Sequence, residues 1–153
     1  VQWMTVASGI IHEEKHERDF SRQGGQLNFV QLWVNLPAAY KMIPPRYQDI
    51  ASSRIPSSVL PGGGTLRVIA GELAGLTGPA HTVSPVVLAD LTLTAGQTEP
   101  LTIPAGYTAF VYGLDGSAQL NGDLLERGQL ALTNADGDTL TLTAVTDAKL
   151  LIL

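Results

Sequence analysis

The stretch Gly9–Phe20, GIIHEEKHERDF, gathers two of the chain's three histidines, His12 and His16, with four acids and two bases. Three kinds of chemistry use these residue types. Read as an extended run after a turn at Gly9, IIHEE places His12 and Glu14 two residues apart on one face of a strand, with Glu13 on the other. An imidazole nitrogen and a carboxylate oxygen aimed at one point form a donor pair suited to Fe(II), Mn(II) or Zn(II), and two donors alone rarely hold a metal tightly. Read as a helix, residues 12–16 spell H-E-E-K-H, the zinc-protease pattern in which Glu13 would serve as general base. That alternative requires a helix starting just after Gly9 and a third ligand downstream, and the following DFSRQGG leaves little room for one. The third reading is an exposed strand end carrying scattered, solvated charge, where such side chains usually sit.

The elements that must position these residues read almost entirely as strands. VQWMT opens the chain with Val1, Trp3 and Thr5 alternating against Gln2 and Met4, and NFVQLWVNLP is a second strong strand, stopped by Pro37. A segment with four of the nine prolines and a glycine triplet follows, AAYKMIPPRYQDIASSRIPSSVLPGGG, with a short helical turn expected near Ala38 to Met42. PPRYQDI within it reads as a structural crossing loop or a contact surface bearing Arg46 and Tyr47. From Gly64 onward TLRVIAGEL, VVLADLTL, YTAFVYGL, SAQL and QLALTNADGDTLTLTA alternate as short strands. Asn121-Gly122 gives the strongest hairpin signal, and Asp136-Gly137 repeats the plan. Strands with turns at this spacing predict an all-β sandwich or small barrel.

Composition bounds the function. With 153 residues, 44% apolar content and a mean hydropathy of +0.15, the chain can bury one real core. It has no cysteine, which removes thiolate ligands, thiol nucleophiles and disulfides. No run approaches the roughly 20 apolar residues of a membrane helix, so a cytoplasmic protein that does not enter the membrane is expected. Residues 1–59 hold six Lys/Arg and five Asp/Glu, whereas residues 60–153 hold three and nine. A basic stripe is missing, so no direct nucleic-acid binding is expected. No phosphate-binding loop or nucleophile elbow is present, and the glycines of residues 62–64 read as a flexible turn. His81 lies alone in a loop, and YTAFVYG offers Tyr107 and Tyr112 but no imidazole, so this half reads as a packing and partner-binding unit.

A strand at the very start, and AKLLIL running apolar to the final residue, suggest that the chain begins inside a domain and that its other end is cut or tucked under something. The order VQWMT…SGIIHEE…QLWVNLP…PPRYQDI over residues 1–50 resembles the pirin family of the bicupin superfamily. Weaker similarity continues through IPAGYTAFVYGLDG, LNGDLLERGQLAL and AKLLIL. The resemblance implies a cupin-type, double-stranded β-helix or jelly-roll fold forming part of a bicupin. Residues 1–37 would be the closing strands of the N-terminal barrel, 38–64 a Pro/Gly-rich connection, and 65–153 a C-terminal cupin-like barrel. It also implies truncation at the N-terminus and at the C-terminus, because most of the first barrel would precede Val1 and a further segment would follow the last strand.

Pirins bind one iron through three histidines and one glutamate. His12 and Glu14 match the third histidine and the glutamate; His16 and Glu13 do not belong to that set, and the other two histidines would lie upstream. Glu13, where a small residue is expected, and the charged KHERDF depart from the family pattern in the adjoining loop. Bacterial members are known as quercetin 2,3-dioxygenases and animal pirin as a nuclear co-regulator of transcription factors. The resemblance therefore implies Fe(II) or another divalent transition metal, a flavonol-like substrate or a protein partner, and a nuclear location if the source is eukaryotic. No dioxygenase activity is expected of the 153 residues alone.

Overall fold

Leucine alternating with threonine, as in TLTLTA, makes a ribbon with one apolar and one polar face, and such ribbons are stable only when their apolar faces meet. The computed structural model describes residues 1–153 and is built from such pairings. Two compact units divide the chain, one comprising Val1–Trp3 with Gln48–Leu153 and the other Met4–Tyr47.

Strands β1 (Gln2–Thr5) and β2 (Arg46–Asp49) pair as a two-stranded sheet. The strands that follow are β3 (Ser57–Val59), β4 (Thr65–Ala70), β5 (Glu72–Leu73), β6 (Leu76–Thr77), β7 (Leu88–Leu93) and β8 (Thr98–Thr102). Next come β9 (Phe110–Asp115), β10 (Ser117–Leu120), β11 (Asp123–Glu126), β12 (Leu130–Leu132), β13 (Thr139–Ala144) and β14 (Ala148–Ile152). A six-stranded sheet in the order β12-β9-β14-β7-β4-β3 faces a four-stranded sheet in the order β11-β10-β13-β8, while β5 and β6 form a small hairpin. This is a cupin jelly roll.

Its core lies between the sheets, where Leu66, Val68, Leu91, Val111, Leu150 and Ile152 meet Leu101, Ala118, Leu120, Leu140 and Leu142. Burying each leucine contributes about 1.5–3 kcal/mol. A second cluster covers the outer face of the six-stranded sheet: Ile69, Leu88 and Leu151 pack under Trp3, Ile50, Ile55 and Ala80. Burial on both faces explains the apolar run of Leu150, Leu151 and Ile152 in β14, which lies in the middle of that sheet, between β7 and β9.

Turn chemistry explains where the chain changes sheets. Asn121 and Gly122, at φ of 52° and 97°, close the β10–β11 hairpin as the Asn-Gly signal predicts. Asp115-Gly116 makes a corner, since β9 and β10 belong to different sheets. Asp136-Gly137 also differs from the expected hairpin: β12 pairs with β9 whereas β13 pairs with β10 and β8, so the loop between them crosses from one sheet to the other. PPRYQDI, expected as a loop, contributes β2. The Gly62–Gly64 turn is tightly packed, because a Cβ on Gly64 would run into the carbonyl of Thr92.

In the smaller unit, Met4–Tyr47, regular structure is sparse. It holds one six-residue helix, α1 (Arg18–Gln23), and a 3-10 turn at Ala38–Tyr40, the latter where a helical turn was expected. The strands expected over IIHEE and NFVQLWVNLP do not form, and residues 10–17 and 24–37 carry no regular element. A strand exists only with a ladder partner, and these segments find none within the chain. Their apolar side chains are correspondingly exposed, Phe29 by 71% and Trp33 by 92%.

Candidate metal centre

After β1 the chain turns through Gly9, whose N–H donates to the carbonyl of Val6 at 2.8 Å and whose φ of 121° suits glycine alone. His12 and Glu14 follow in the stretch without regular structure, and both are exposed. Glu14 Oε1 accepts a hydrogen bond from Gln31 Nε2 at 3.2 Å. Glu13 is paired with Lys15 Nζ at 2.6 Å, an exposed contact of at most about 1 kcal/mol. Among histidine, aspartate and glutamate side chains, no group of three or more is gathered closely enough to hold a metal ion. One imidazole and one carboxylate do not complete a coordination shell for iron, so the donors of these residues alone do not fit a closed metal site.

The helical alternative for H-E-E-K-H loses its scaffold. The helix begins at Arg18, downstream of both histidines, so His12 and His16 share no helical face. His16 instead meets the ring of Phe20 edge-on, with centroids 5.7 Å apart and planes at 82°. What starts the helix is Glu17, whose Oε2 accepts from the N–H groups of Asp19 and Phe20, each at 2.9 Å. The hydrogen bond from Asp19, then that from Phe20, holds the Glu17 carboxyl below its ordinary value. Residue type alone does not point to this cap, because serine, threonine, aspartate and asparagine are the usual residues there.

Elsewhere, His81 sits in a loop as expected, and its contact to the fold is through its backbone. Gln48 Nε2 donates to the His81 carbonyl and Gln48 Oε1 accepts from the His81 N–H, both at 2.9 Å. Tyr112 packs against the outer cluster. The interior of the sandwich is filled by aliphatic side chains, with Leu140 and Leu142 at its centre.

The Pirin C-terminal cupin domain matches residues 88–153, from β7 to the end of β14. A Pseudomonas aeruginosa protein that carries the provisional name quercetin 2,3-dioxygenase is 46% identical over 154 residues, covering 100% of this chain and 54% of its own length. The chain belongs to the pirin family. Human pirin is 35% identical over 123 residues, which cover 80% of this chain and 40% of that protein. A crystal structure of a quercetin 2,3-dioxygenase from Acinetobacter baumannii superimposes with a TM-score of 0.94 at 41% identity, over 99% of this chain and 53% of that one. The chain thus spans about half the length of the pirin relatives it matches. No helix is long and apolar enough to cross a membrane.

Proposed function

We propose that this pirin-family protein is a metal-dependent cupin oxygenase of the quercetin 2,3-dioxygenase type, acting on a flavonol-like substrate, with His12 and Glu14 as two ligands of a divalent metal, Fe(II) foremost. The observation that carries this reading lies within the chain. Thr5, Ala7 and Gly9 recur 128 residues later as Thr133, Ala135 and Gly137, the first set starting at the last residue of β1 and the second just after β12. At that offset His12 corresponds to Leu140 and Glu14 to Leu142, which both point into the core of the sandwich and are 1% and 0% exposed. A counterpart of β13 at residues 11–16 would turn His12 and Glu14 together into a barrel interior. Names carried by relatives, a quercetin 2,3-dioxygenase among them, support the substrate class.

In this reading residues 1–37 supply strands to a first barrel, residues 38–64 connect, and residues 65–153 form a second. The remaining ligands and strands of the first barrel come from outside these 153 residues, which agrees with relatives about twice as long. The bare side chains of Phe29 and Trp33 then find their cover in that barrel.

The test is quercetin turnover by the full-length protein loaded with Fe(II). Turnover that disappears in His12→Ala and Glu14→Gln, together with the bound iron, is the expected result. Stoichiometric iron without turnover would instead favour the second reading, a non-enzymatic, metal-dependent interaction protein.

A further inference from the structure

The second barrel has its own opening. Between the edge strands of the two sheets, β11 and β12, lies a cavity of about 270 Å³. Its floor is apolar, made by Ile103, Leu120 and Leu140, all buried. At its mouth stand two leucines that the fold leaves bare, Leu124 at 58% and Leu132 at 69% exposure. The floor residue Leu140 is the one that corresponds to His12 at the 128-residue offset, and the loop carrying Thr133 and Gly137 closes one wall. The cavity therefore occupies, in this barrel, the place of the proposed metal centre in the other, with hydrocarbon where ligands would be.

The rim sets the sign of the charge it prefers. The hydroxyl of Thr133 is used twice, accepting from Ala109 N–H and donating to its carbonyl, and that of Thr139 donates to Asp138. The Asn121 side-chain oxygen accepts from Thr141 N–H. Asp123 and Asp136 also line the cavity; neither is in an ion pair, and no lysine, arginine or histidine lines it. An apolar cavity of about 150 Å³ is enough to admit benzene, so this one has room for a single ring with a short side chain.

We infer that the cavity between β11 and β12 binds a small organic cation, an ammonium group on an apolar ring or short chain, with the hydrocarbon against Leu120 and Leu140 and the ammonium at Asp123 and Asp136. The site is separate from the His12 and Glu14 centre and needs no metal. Its selectivity follows from the rim: two exposed carboxylates favour a cation over its neutral analogue by about threefold and disfavour an anion of the same shape.

Three probes of one shape separate these cases: 2-phenylethylamine, 2-phenylethanol and phenylacetate, each titrated into the 153-residue protein with leucine and isoleucine methyl groups followed by NMR. Saturable shifts centred on Leu120, Leu124, Leu132 and Leu140 are expected, in the order amine, alcohol, acid, with the amine's advantage shrinking as salt is added. Asp123→Asn with Asp136→Asn should bring the amine down to the alcohol, and Leu124→Lys, at an exposed position, should do the same by repulsion. Unperturbed methyl signals of Leu66 and Leu91 report that each variant is folded. The inference is overturned if no probe saturates, if the alcohol or the acid binds as tightly as the amine, or if the amine keeps its advantage in the doubly neutralised variant.

Discussion

The side chain of Gln48 and the backbone of His81 exchange two hydrogen bonds of 2.9 Å, so that an amide side chain takes the part of a neighbouring strand. The pair fixes β2 beside the loop that follows β6, next to Ile50 and Ala80 of the outer cluster. Gln48→Ala removes both bonds and should lower unfolding stability by about 1–2 kcal/mol, whereas His81→Ala, which keeps the backbone groups, should leave it unchanged. Urea denaturation of the two variants checks the difference, and a larger loss at His81 would mean that its imidazole is used after all.

Glu17 predicts an acid sensitivity confined to α1. Its carboxyl is held below the ordinary value of 4.5 by the N–H groups of Asp19 and Phe20. A depressed folded-state pKa means that the cap's contribution is complete above the unfolded value and is lost as the pH falls through the folded one. The amide signals of Asp19 and Phe20 should therefore titrate with a midpoint below 4.5. Glu17→Gln should abolish that titration and increase fraying of residues 18–23, read by amide exchange, while the methyl signals of the sandwich stay in place.

Two glycines at positive φ should respond unequally to alanine. Gly122, with nothing within 4 Å of an added Cβ, faces only backbone strain, about 1–2 kcal/mol. At Gly116 the Cβ would also collide with the carbonyl of Asp147 and approach Thr146 Oγ1 to 2.8 Å. Gly116→Ala should thus lower the melting temperature further than Gly122→Ala. Equal losses would show that the corner between β9 and β10 yields.

The 153 residues on their own should not retain iron. Two donors lack the further imidazoles that a tight cupin-type centre would need, so Fe(II) added to this chain should leave it on gel filtration. Calorimetry giving tight one-to-one binding would mean that the ligand set is complete within it and that the assignment of His12 and Glu14 to a shared, larger centre is wrong.

The β-sandwich was legible because its signals are local and agree with one another. Leucine–threonine alternation in 139–144, the Asn121-Gly122 turn and the apolar run of 148–153 each point to the same sandwich. What pattern could not reveal was which strands share a sheet, since a corner at Asp115-Gly116 and a hairpin at Asn121-Gly122 use similar residues. Residues 10–37 failed for a different reason. Their strand propensity is real, but pairing is a property of two segments, and Phe29, Val30 and Trp33 have no second segment here to pair with. Around His12 and Glu14 spacing alone favours a solvated strand end over metal binding, and the metal reading comes from the resemblance of residues 1–50 to the pirin family.

β14 is the last strand in sequence order yet stands between β9 and β7, with Leu150 opposite Leu91, 59 positions earlier. Until it arrives, the large sheet exists only as two separate flanks, β12-β9 on one side and β7-β4-β3 on the other. Insertion of this keystone must close a long loop before any reward is gained, so the sandwich should assemble slowly and late, and the margins of both flanks stay unpaired and open to chaperones until β14 slots home.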